Sequence, residues 1–137
     1  MTPERYFKNE HVEIWITDGL LYHKYAPELV ITLTIAEEIT RQRILMSDGK
    51  KYPLLVDGRT TKYITKDARE YWAKGDGIKY LTAGAFIIGN SIHKIFGNMF
   101  LKVNRPPLPA RLFTEVEPGV LWLQKFRETL EAEYTGN

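Results

Sequence analysis

The sequence predicts an α/β sandwich: a mixed sheet opened by an N-terminal hairpin and covered by about four helices. Three observations carry this. First, His11-Val12-Glu13-Ile14-Trp15-Ile16 alternates polar and apolar side chains, the period-2 signature of a half-buried strand. Asp18-Gly19 follows, a pair suited to the positive φ angles of a tight hairpin. Second, Tyr52–Val56 and Ala83–Ile88 are short continuous apolar runs, as strands buried on both faces require. Third, Ile92, Ile95, Phe96, Met99, Phe100 and Val103 recur at helical spacing along one face. Strands alternating with helices after a hairpin imply a mixed α/β sheet.

Each element has its own signal. Leu20–Tyr25 returns from the turn as the second hairpin strand, and Leu29–Leu33 reads as a short extended piece. Thr34 and Glu37 have the spacing of a capping box, so the first helix is expected to start there. Ile35, Ala36, Ile39 and Met46 mark its apolar side, and Gly49 is its expected stop. Thr65 caps a second helix with Ala68, Tyr71 and Trp72 on one side, ending near Gly75-Asp76-Gly77. Ser91 caps the third, which Pro106 and Pro107 stop, because proline cannot extend the hydrogen-bond ladder. Arg111–Thr114 reads as a last strand. A final helix is expected from Pro118, a good first-turn residue, to Tyr134, with Val120, Leu123, Phe126 and Leu130 inward.

The chain has 137 residues, a length suited to one domain over 1–137 with a core at about 11–126. It has no cysteine, which excludes a disulfide scaffold, a thiolate metal site and a cysteine nucleophile. Nineteen basic and seventeen acidic side chains nearly balance. Their distribution does not: residues 59–111 net +7 and the remainder nets −5. A basic middle can attract an acidic or phosphorylated partner, or meet the acidic face of a second copy, as in a homodimer. Tyr63, Tyr71 and Tyr80 interleave with the cations, yet no nucleic-acid motif is present, so nucleic acid is not the expected partner. The most apolar run, Ala83–Gly89, is far short of the roughly 20 residues of a membrane span. A cytoplasmic protein without a membrane partner is expected.

The element order resembles the STAS domain, the fold of the anti-anti-sigma factors (SpoIIAA-like proteins). The best-matching stretch is Leu54-Leu55-Val56-Asp57, a loop, then Tyr63-Ile64-Thr65-Lys66-Asp67-Ala68-Arg69. In those factors the loop reads Asp-Ser-Ser-Gly-Leu, and a partner kinase phosphorylates a serine at the helix start. Here Thr65 and Lys66 replace the Asp-Ser pair, Asp67 falls at the switch serine and Ala68 replaces glycine. The segment from Gly97 to Pro107, with Arg111-Leu112-Phe113, is similar to functionally uncharacterised small bacterial proteins of this fold. The resemblance implies a bacterial regulatory module in signalling or transcription control. Its partner there is a kinase-like anti-sigma factor, met through the face around Thr65, Lys66, Asp67 and Arg69.

Candidate chemistry beyond this is sparse. A helix start holds unpaired N–H groups, so a phosphate on Thr65 could be met by Lys62, Lys66 and Arg69. The plainer role of Thr65 is an N-cap. Pro106-Pro107-Leu108-Pro109-Ala110-Arg111 fits P-x-x-P-x-R, though stiffening the connection before a strand suffices. Asp57 lacks the second Asp two residues on that a phosphatase-type nucleophile needs; Arg59 stands there. It reads as a loop cap. His11, His23 and His93 lack metal-site spacing. No G-x-S-x-G, P-loop or dinucleotide fingerprint occurs. We therefore expect a non-enzymatic protein-binding module without a cofactor. The alternative is a carrier or sensor of a small apolar, lipid-like ligand in a pocket lined by Phe96, Phe100, Trp122 and Phe126; an enzyme ranks third.

Overall fold

Side-chain alternation in the hairpin decides which way the sheet faces. β2 (Val12–Thr17) buries Val12, Ile14 and Ile16. It pairs antiparallel with β3 (Leu20–Tyr25) in a register that places Thr17 opposite Leu20. Asp18 and Gly19 close that turn at φ 52° and 75°, the geometry the dipeptide foretells. In the computed structural model, which describes residues 4–89 and 107–135 (128–135 as backbone alone), the hairpin seeds a six-stranded sheet.

The order across that sheet is β1-β2-β3-β5-β7-β8. β1 (Arg5–Lys8) and the hairpin are antiparallel; β5 (Tyr52–Asp57), β7 (Leu81–Ile87) and β8 (Ala110–Phe113) continue parallel to β3. β4 (Val30–Ile31) and β6 (Tyr63–Ile64) form a separate two-stranded parallel ladder. α1 (Leu33–Ser47) and α2 (Lys66–Trp72), followed by a 3-10 turn at Gly75–Ile78, pack with one sheet face. α3 (Val116–Thr135) covers the other. The first cluster includes Leu21, Leu54, Val56, Ala36 and Ile39. The second gathers Leu20, Leu55, Ala83, Ala85 and Ile87 around Leu123. Complete burial of a leucine such as Leu123 is worth roughly 1.5–3 kcal/mol.

The mixed α/β sandwich and its opening hairpin are as expected, with local differences. There are three α-helices among the described residues against about four expected; the helix expected over 91–103, with its Ser91 cap, lies outside them. α1 starts at Leu33, and its cap is Thr32, not Thr34. β4 delivers Thr32 in extended geometry (φ −89°, ψ 171°), and its hydroxyl accepts from Ile35 N at 3.4 Å. The helix ends at Asp48 in the left-handed region, just before the expected Gly49. β1 and β6 have no counterpart in the sequence reading. β1 is an exposed edge strand, so it carries no buried alternation.

α3 is anchored far from its own neighbourhood in sequence. Arg127 Nη1 donates to the Asp18 carbonyl at 3.1 Å and lies 2.9 Å from its carboxylate. The C-terminal helix is thereby fixed to the hairpin turn.

Candidate functional site

The helix start at Thr65 is built as a cap. The Thr65 N–H donates to Ile31 O, its backbone is extended, and its hydroxyl oxygen accepts from Ala68 N at 3.4 Å. The same hydroxyl donates to Asp67 Oδ1, which also accepts from Ala68 N at 2.9 Å. A phosphate on Thr65 would therefore face the Asp67 carboxylate, and like charges that close repel. Lys66 and Asp67 are exposed, as a contact face needs. Arg69 departs from expectation: it is only 8% exposed, and its Nη1 donates to Ile64 O at 2.7 Å. Being on the helix side that meets the core, Arg69 is not part of the exposed face, which reduces to Lys66 and Asp67 with the half-buried Thr65.

The structure adds residues to that face that the sequence reading did not join to it. Val30 and Tyr63 lie opposite each other in the β4–β6 ladder and are 39% and 44% exposed. Two apolar side chains thus stand side by side, directly ahead of Lys66 and next to exposed Lys62. No periodicity signals this, because each strand is two residues long.

A second polar centre lies beneath α1. Arg43 is 1% exposed and His23 3% exposed. Arg43 Nη1 donates to Lys79 O at 2.6 Å, and Nη2 to Asp76 O at 3.1 Å and Gly77 O at 3.4 Å. The guanidinium thus holds the carbonyls of the 3-10 turn, where a helix end leaves them unpaired. No carboxylate pairs with it among the described residues. Burial, then the Arg43 charge, hold the His23 pKa down to about 3, so its ring is neutral at pH 7. Its Nε2 is buried and has no hydrogen-bond partner. Trp72 stacks on Tyr25 at 5.9 Å and donates its indole N–H to Thr40.

The depressed His23 pKa carries a pH consequence. A folded-state value below the unfolded one means the unfolded chain binds the extra proton. The stability is fully present above about pH 6.5 and is lost as pH falls toward 3. Urea unfolding between pH 7 and pH 4 is expected to show a loss of up to about 1.4 kcal/mol per pH unit from this one group. A His23→Leu variant removes that contribution; acid slopes identical to the wild type would refute it.

Of the ligand pocket expected around Phe96, Phe100, Trp122 and Phe126, only the Trp122 and Phe126 side falls among the described residues. Trp122 and Phe126 pack edge-on against each other at 5.0 Å, and Trp122 also meets Phe113, on the α3 side of the sheet. Phe96 and Phe100 lie outside the described residues. A cavity on the opposite face, beside His23 and Arg43, measures about 40 Å³. Sites for drug-sized ligands run to about 300–1,000 Å³, so this cavity is too small for a lipid.

Asp57, at the C-terminal end of β5, caps its loop as expected. Its carboxylate accepts from Arg59 N, Nε and Nη2. Burial pushes its pKa up, but the Arg59 hydrogen bonds and charge outweigh that and hold it below the ordinary value. Among the described residues no three His, Cys, Asp or Glu side chains cluster as a metal site, and no helix is long and apolar enough to cross a membrane.

The architecture matches a solved structure. An uncharacterised protein of the DUF3478 family from Shewanella loihica PV-4, described as having a SpoIIAA-like fold, aligns with a TM-score of 0.55 and 16% identity. The alignment covers 85% of this chain and 98% of that one. The fold is therefore SpoIIAA-like, that is, STAS-like. No curated protein matches the chain. Residues 14–127 match the profile of a family described as Domain of unknown function (DUF7793).

Proposed function

We propose, for a chain that belongs to the DUF7793 family, that it is a non-enzymatic STAS-type regulatory module that works by binding another protein in the cytoplasm. The observation that carries this reading is the exposed Val30–Tyr63 pair beside Lys66 and Asp67. Apolar side chains rimmed by charges are the usual anatomy of a protein contact, and tyrosine is enriched among residues that dominate binding energy. The resemblance to anti-anti-sigma factors, which are met by their kinase around the matching helix start, supports this reading. Signalling or transcription control is the corresponding role, with a kinase-like regulator as the first partner to try. The cap at Thr65 favours constitutive docking over a phosphate switch.

Affinity capture from a native lysate tests this. Tyr63→Glu and Lys66→Glu are each expected to weaken capture of a partner at least about tenfold. Lys51→Glu, exposed at the opposite end of β5, is expected to leave it unchanged. If all four proteins captured the same partner equally, this face would not be the contact surface.

A further inference from the structure

We propose that the cavity over the middle of the sheet binds a small monocarboxylate, of formate or acetate size, between Arg43 and His23. Its walls come from two layers of the fold, the sheet and the helices packed on one of its faces. His23 on β3, Val56 on β5, and Gly84 and Phe86 on β7 all line it, with Arg43 from α1 and Trp72 from α2 above. The register sets His23 opposite Val56, Val56 opposite Phe86, and Leu54 opposite Gly84, so these side chains share one face.

Two polar groups there have unused capacity. Arg43 presents five N–H donors, and the described bonds to Lys79, Asp76 and Gly77 take three. Its charge is met by carbonyl oxygens and by no carboxylate among the described residues. His23 contributes a buried ring nitrogen without a partner. A buried cation and an unpaired neutral imidazole, placed against apolar walls, suit an anion with one charge, two acceptor oxygens and an apolar end. One carboxylate oxygen can take an Arg43 donor, with a methyl group toward Val56 and Phe86. The other can take the His23 Nε2, in the tautomer that holds its proton there, once a turn of the ring brings that enclosed nitrogen to the cavity.

Size selects within that class. A volume of about 40 Å³ exceeds what one water needs and excludes aromatic or lipid chains. Gly84 keeps the space open: a Cβ built there meets no atom within 4 Å, although the residue is buried in a central strand. The proposal is independent of the surface at Tyr63 and Lys66.

The test is an acetate titration of the purified protein followed by the NMR signals of the His23 ring and the Trp72 indole. Saturable shifts are expected with acetate and formate, and none with chloride or with benzoate, which exceeds the cavity. Gly84→Ala fills the space without a clash, so its unfolding midpoint is expected to hold while acetate binding weakens at least about tenfold. Wild-type protein whose His23 signals do not move, or move equally with chloride, would overturn the proposal. So would a folded Gly84→Ala protein that binds acetate as well as the wild type. Ordered water alone in the cavity gives the first of those results.

Discussion

Replacing Arg43 by leucine is expected to lower the unfolding free energy by about 3 kcal/mol or more. The side chain is buried, and the carbonyls of Asp76, Gly77 and Lys79 all accept from its guanidinium. Leucine removes the donor from all three oxygens. The buried Gly77 acceptor alone costs about 1–3 kcal/mol when orphaned, and the part-buried Asp76 and Lys79 carbonyls and the lost packing add to it. Arg43→Lys is expected to recover part of the loss, since an ammonium carries donors but lacks the planar fork. Denaturant midpoints report the three stabilities, and amide exchange at residues 76–79 shows whether the 3-10 turn has loosened. A loss below about 1 kcal/mol for Arg43→Leu would mean that water replaces the guanidinium at no great penalty.

Gly77→Ala strikes the same junction from the other side and is expected to cost about 3 kcal/mol or more. A Cβ on Gly77 would lie 2.7 Å from Trp72 Cα and nearer still to the Tyr71 carbonyl oxygen. Both obstacles are backbone, so neither can rotate away. Gly75 makes the control. A Cβ there meets nothing within 4 Å, and only its φ of 55° opposes a side chain, so Gly75→Ala is expected to cost about 1 kcal/mol. Thermal unfolding of the two variants separates close approach from backbone geometry. Equal losses would remove the steric argument.

Both effects centre on residues whose importance is hard to read from letters. Arg43 stands in Arg41-Gln42-Arg43-Ile44, and nothing there separates it from its exposed neighbour Arg41. The buried stripe of α1 is Ala36, Ile39, Thr40, Arg43 and Ser47, helical in spacing but polar toward its C-terminal end. A search for apolar periodicity finds its first half and drops the second. Arg69 follows the same logic on α2. The hairpin, by contrast, was legible because one face is buried along its whole length, so a period of two survives in the sequence. Thr65 was legible as a cap because capping is local chemistry. Val30 and Tyr63 meet only through a ladder too short to leave a pattern. The cavity depends on a glycine, a histidine and an arginine drawn from three elements, a coincidence that only the packed chain reveals.

The clasp between Arg127 and the Asp18 turn joins residues 109 positions apart. Leu20, on the hairpin, shares its cluster with Leu123 on α3. The ribosome therefore makes the hairpin long before it makes the helix that seals that side. Until α3 emerges, Leu20, Leu55 and Ala85 present bare apolar surface on a nascent sheet, the condition that invites aggregation or chaperone binding. The order of synthesis thus sets a vulnerable interval for this chain, and the arginine that closes it arrives among the last of the described side chains.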